Sequence, residues 1–187
     1  MGPLCLLWLL LTLRVLQAQT PNSLPKPPYM QSFQMDQFQG EWFVLGLAGN
    51  TFRKEHRALL KPFTTTFEVN KDGHVLMSSA MMRAQRCDTW SYILVPGTQP
   101  GQFTVDRNRA SGVDRGEIQV VNTDYTSFAL LLAHRWAGSQ AIISTSLLGR
   151  SWVLPPGTLG KFICLGRMQG FSEDNVVFPD VTGQVTC

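Results

Sequence analysis

The chain has 187 residues, 44% of them hydrophobic and only 16% charged, with a formal net charge of +3. That length suits one domain with a sizeable core, and the composition excludes an intrinsically disordered chain. So small and scattered a charge excess leaves no footprint for nucleic acid or a membrane surface.

The stretch from Leu4 to Leu13 is apolar except for Thr12. That is the length of a signal-peptide core and too short to span a bilayer. Val15, Leu16, Gln17 and Ala18 end on a small residue, so residues 1–18 read as a signal peptide and the protein as secreted. No other segment reaches the roughly 18 apolar residues of a membrane helix. Pro21, Pro25, Pro27 and Pro28 make residues 19–32 an extended tail that joins neither helix nor central strand. Residues 33–187 form the folded domain.

A short helical turn is expected from Asp36 to Gln39, ended by Gly40. Strands follow. Trp42 to Ala48 is apolar. Phe63 to Val69 alternates strictly, so Phe63, Thr65, Phe67 and Val69 share a face. Asp72 and Gly73 mark a hairpin turn before Val75 to Met82. Thr89 to Val95, Gln102 to Asp106, Glu117 to Asn122, Ser127 to Arg135 and Gln140 to Leu148 complete eight strands. Turn signals every dozen or so residues argue for an antiparallel meander, as sandwich or barrel. A helix is expected from about Pro156 to Arg167, closed by Gly170, then a short strand from Val176 to Phe178. The seventh strand is apolar on both faces around Leu130 and Leu131, so its outer face needs cover. A closed barrel with the late helix packed outside supplies it.

Cys5 leaves with the leader, and Cys87, Cys164 and Cys187 remain. In an oxidising compartment an odd number means one pair and one free thiol. Without a C-x-x-C or a cysteine–histidine cluster, no metal or other cofactor is expected.

Gly40, Glu41 and Trp42 after the short helix, Thr123, Asp124 and Tyr125 before the seventh strand, and Arg150 after the eighth resemble the three signature regions of the lipocalins. The resemblance covers about residues 33–187 and is nearest to the neutrophil, prostaglandin-synthase and epididymal branches of that family. It implies an all-β fold: an eight-stranded antiparallel up-and-down β-barrel with one C-terminal α-helix outside. It also implies that Trp42 plugs the closed end with Arg150 across it, that Cys87 pairs with Cys187, and that Cys164 stays free on the helix, facing the barrel as an inert thiol.

Alternation, together with the family register, gives the inward face. If Trp42 points in, so do Val44 and Gly46. The expected ligand lining is Phe63, Thr65 and Phe67; Met77, Ser79 and Met81; Trp90, Tyr92 and Leu94; Phe103 and Val105; Ile118 and Val120; Leu131, Ala133 and Arg135; Ser144, Ser146 and Leu148. A one-residue slip would invert any strand. Apolar, aromatic and thioether groups with a few hydroxyls suit one small hydrophobic ligand. Arg135, at the mouth end of its strand, would hold a carboxylate there. Retinoic acid, another retinoid or a fatty acid fits, and the expected role is a monomeric carrier, with the male reproductive tract suggested by the epididymal branch.

Two family activities lose their residues. Siderophore binding resembles a site with three cations, whose positions here fall on Tyr92, Arg135 and Ser144. The synthase nucleophile is a cysteine at the position of Phe63, so no enzyme activity is expected. His56, His74 and His134 read as solvated. The segment from Asn50 to Leu60, with Arg53, Lys54, Glu55, His56 and Arg57, offers an alternative role in docking a cell-surface receptor.

Overall fold

The computed structural model describes residues 30–55, 60–83, 86–105, 115–180 and 187. The expected leader, residues 19–29 of the tail, His56, Arg57, Asp106 and the turn at Ser111 and Gly112 lie outside them. No helix among the described residues is long and apolar enough to cross a membrane.

A one-turn helix α1 (Met35–Phe38) leads into β1 (Gly40–Gly49), β2 (Phe63–Val69), β3 (Val75–Arg83), β4 (Arg86–Pro96), β5 (Gln102–Val105), β6 (Arg115–Thr123), β7 (Phe128–Ala137) and β8 (Gln140–Gly149). Each strand pairs with the next, and β1 pairs with both β2 and β8, which closes the barrel. Helix α2 (Thr158–Met168) and a two-residue β9 (Val176–Val177) follow, β9 adding to β1 at Leu47 and Ala48. The hairpin at Asp72 and Gly73 joins β2 to β3, with Gly73 at φ +78° and Asn70 Oδ1 accepting from the amides of Asp72 and His74.

Two bulges reset the alternation. In β1 the register slips between Val44 and Gly46, so Leu45 is the extra residue and the parity inverts beyond it. Trp42 and Val44 face inward as expected, but Gly46 does not. A Cβ there would stand 3.1 Å from Phe162 of α2 and Phe178, so Gly46 lies outside, under the helix, and Leu47 takes the inward position. A second slip in β6, between Val120 and Asn122, leaves Val120 inside and sends Val121 to the outer cluster.

Apolar side chains segregate into two clusters. The inner one fills the barrel around Trp42, Phe38, Phe67, Leu94 and Phe103. The outer one joins Ala48, Phe128, Leu130 and Leu147 to Phe162 and Leu165 of α2. This is the cover that the two-faced β7 requires. The buried face of α2 carries Thr158, Phe162, Leu165 and Gly166, a helical stripe. Cys164 sits two residues from Phe162, about 200° round the helix, and is exposed. The expectation that it faces the barrel is therefore corrected. Gly170, at φ +79°, ends α2 as a Schellman cap, with Phe171 N donating to Gly166 O at 3.0 Å and Gly170 N to Arg167 O at 2.9 Å.

Candidate functional site

The closed end of the barrel is assembled from the sequence signatures. Gly40 adopts φ +94°, a conformation that favours glycine. Trp42 is fully buried, its indole N–H donating to Phe38 O at 2.9 Å. Arg150 lies over the Trp42 ring at 3.8 Å. Its guanidinium donates to the carbonyls of Tyr125, Glu41, Gln37, Phe38 and Gln39. One side chain thus ties α1, the start of β1 and the β6–β7 turn together. Burial pushes its guanidinium below the usual arginine value.

That turn is held by Thr123 and Asp124. Thr123 Oγ1 donates to Phe128 O at 2.7 Å and accepts from Tyr125 N at 2.9 Å. Asp124 accepts from the amides of Thr126, Ser127 and Phe128 and from the Ser127 hydroxyl. Burial works against the Asp124 carboxylate, but the donation from Ser127 Oγ and from the Phe128, Ser127 and Thr126 amides outweighs it, holding the carboxyl below its usual value. Tyr125 takes φ +66°. None of these groups reaches the interior space, so their work is to build the floor.

Above the floor is a cavity of about 470 Å³, within the size range of small-molecule sites. Phe63, Thr65, Met77, Ser79, Met81, Trp90, Tyr92, Leu131, Arg135, Ser144, Ser146, Leu148 and Val44 line it. The other inward residues named from the sequence do not. Phe67, Leu94, Phe103, Ile118 and Val120 are buried in the packed cluster below, and Val105 and Ala133, half-buried, pack against it. Alternation gives the face but not the height: α1 and Phe33 fill the lower half, Phe33 lying 5.2 Å from Phe38 and 5.9 Å from Phe103, ring to ring. The hydroxyls of Ser79 and Thr65 satisfy one another at 3.1 Å.

Leu47, Thr51, Phe52, Leu60, Arg83 and Ile142 also line the cavity. Leu47 was hidden by the bulge. Arg83 and Ile142 follow from the alternation of β3 and β8 carried one step nearer the mouth. Thr51, Phe52 and Leu60 come from the first loop, where no period exists to read. The start of that loop is pinned: Asn50 Oδ1 accepts from Ile143 N at 3.1 Å, Asn50 Nδ2 donates to Ala141 O at 2.8 Å, and Asn175 Nδ2 donates to Phe52 O at 3.1 Å.

Among the described residues two cations reach the cavity. Arg135 stands 4.8 Å over the Tyr92 ring and donates from Nη1 to Tyr92 Oη at 3.3 Å. Its Nη2 and Nε make no hydrogen bond among the described residues. Arg83 contacts Asp88 at 3.4 Å, both side chains being more than half exposed, so the pair is a weak, solvated one. At the three positions of the resembled cation site, Tyr92 and Ser144 are uncharged and line the wall beside Arg135. At the position of the resembled nucleophile, Phe63 presents its ring to Trp90 at 5.6 Å. His134 alternates with Arg135 and so faces outward. Burial pushes its imidazole below the usual value, partly offset by Glu117 across the ladder. A disulfide joins Cys87, at the start of β4, to Cys187.

With this geometry in view, comparison with known proteins is specific. Residues 39–183 match the model of the lipocalin / cytosolic fatty-acid binding protein family. Human epididymal-specific lipocalin-12 is 65% identical over 156 residues, covering 83% of this chain and 81% of that protein. Human neutrophil gelatinase-associated lipocalin is 34% identical over 188 residues, covering 95% of each. The horse prostaglandin-H2 D-isomerase is 32% identical over 178 residues, covering 92% and 91%. The solution structure of lipocalin 12 from rat epididymis superposes with a TM-score of 0.79 at 43% identity, covering 90% of this chain and 97% of that one.

Proposed function

The chain belongs to the lipocalin family, whose members are mostly binding and carrier proteins, and from that premise we propose that it is a secreted carrier of one lipophilic acid. The observation that carries the reading is Arg135, a cation in a mostly apolar and hydroxyl-lined cavity whose other lining cation, Arg83, is more than half exposed and paired with Asp88. A permanently protonated guanidinium in such a place matches a carboxylate attached to an alkyl or polyene chain. Retinoic acid and fatty acids have this form. The chain would lie among Phe63, Met77, Met81 and Leu131, with the carboxylate at Arg135 and Tyr92. The similarity to epididymal proteins favours a role in the male reproductive tract. Catalysis is disfavoured because Phe63 stands at the position where the resemblance to the synthase branch implies a cysteine nucleophile. An anionic iron chelate is disfavoured because Tyr92 and Ser144 supply no charge. A docking role for the first loop is compatible with carriage.

The test is a pair of ligands that differ in the head group. Arg135→Ala is expected to weaken retinoic acid about 10- to 100-fold, the value of one charge-assisted hydrogen-bonding site. Retinol should change by less than about threefold. Equal losses for both, or none for either, in a fluorescence titration would remove Arg135 from the site.

A further inference from the structure

We propose that the mouth of the barrel docks on an anionic lipid surface, where cargo passes between cavity and bilayer, an inference that rests on the carrier reading above. The cations look scattered in the sequence, but the fold gathers them. Arg53, Lys54 and Lys61 lie in the first loop, and Arg83 and Arg86 on either side of the β3–β4 turn, all at the open end and all exposed. Arg53 is fixed there by donating to the carbonyls of Asn50 and Phe52 at 3.2 and 2.8 Å. Glu55, Asp88, Glu173 and Asp174 are the described carboxylates at the same end, the last two brought there beside Asn175, whose Nδ2 donates to Phe52 O. Asp88 is engaged by Arg83 and Glu173 by Arg167.

The opposite end has the opposite sign. Asp36, Glu41, Glu68, Asp72 and Asp124 lie on α1, on the closed ends of β1 and β2, and in the lower turns. Among the described residues Lys71 and Lys161, the latter 5.0 Å over the Phe128 ring at the closed start of β7, are the exposed cations there, Arg150 being taken up by Trp42 and backbone carbonyls. Among the described residues cations are thereby in excess at the mouth and carboxylates at the base, and in the field of an anionic surface the barrel turns its mouth towards the lipid.

The centre of the rim argues for lipid over an acidic protein or a sulfated polysaccharide. Half-buried Phe52 and Leu60 sit inside the cationic ring and also line the cavity. Apolar side chains surrounded by long cationic ones suit the headgroup boundary, where the ring meets phosphates and the centre meets acyl chains. A cargo that water does not dissolve gains a direct route by the same contact.

Sedimentation with vesicles tests this. The intact protein is expected to bind vesicles containing phosphatidylserine and not vesicles of phosphatidylcholine alone, with binding that weakens as salt rises. Lys54→Glu combined with Lys61→Glu, two exposed residues outside the cavity lining, should weaken vesicle binding by roughly thirtyfold or more. Its circular dichroism and retinoic acid quenching should match the unmodified protein. The charge-neutral Lys54→Gln with Lys61→Gln should fall between. Equal binding to both vesicle types, no binding to either, or retention only on a sulfated-polysaccharide resin would overturn the proposal. Vesicle binding without any retinoic acid binding would overturn the cargo reading and leave the surface standing.

Discussion

Cys87→Ser is expected to destabilise the protein by about 2–4 kcal/mol, read as a shift of the denaturant midpoint without a change in slope. The disulfide joins residues 100 apart. For a closed loop of that length the chain-entropy model gives about 4.7 kcal/mol, which is a ceiling. The bond runs from the mouth-proximal start of β4 to the C-terminus, and it closes a circuit containing β4 to β9. The variant should still fold, because the β1–β2 and β1–β8 ladders that shut the barrel do not depend on it. A loss below about 1 kcal/mol would mean that the unfolded chain is not appreciably restrained by the bond.

Arg150→Ala is expected to cost about 2–4 kcal/mol, near in size but different in origin. The guanidinium sits 3.8 Å over Trp42, worth about 0.5–2 kcal/mol. It also serves five carbonyls on three separate segments. Hydrogen bonds to a charged group contribute about 1.5–3 kcal/mol when well placed. Water can reach several of these carbonyls after truncation, so their values do not add. Arg150→Lys should recover only a minor part, since an ammonium cannot span five acceptors or cover an indole with a flat face. Near-complete recovery by lysine would show that charge alone is at work. The ligand should be little affected in either variant at temperatures where the barrel remains folded, because Arg150 lies below the floor and touches no cavity wall.

The closed end was legible residue by residue. Gly40, Trp42, Asp124 and Arg150 are short motifs with strict backbone or charge requirements, and they stand where the resemblance implied. The strands were legible because alternation survives in β2 and β3 with little interruption. What escaped were local breaks in that period. Alternation alone places Gly46 inward, because a bulge at Leu45 has no signature in a run of apolar residues. The side of α2 occupied by Cys164 required the helical phase, which Phe162, Leu165 and Gly166 set only once the helix boundary is known. The boundary between floor and cavity was not legible at all. Phe67, Leu94 and Phe103 obey the same alternation as Phe63 and Tyr92, and only packing against Phe33 and Phe38 separates them. The clustering of Arg53, Lys61 and Arg83 at one end was equally hidden, since loops distant in sequence meet there.

The central claim, that the cavity holds one small hydrophobic molecule, rests on a tryptophan well placed to report it. Among the described tryptophans Trp90 lines the cavity, with its ring 5.6 Å from Phe63. Titration of the intact protein with retinoic acid should quench its fluorescence saturably at one equivalent, and Trp90→Phe should remove most of that quenching. Absence of saturable quenching, or quenching that Trp90→Phe leaves unchanged, would contradict the account.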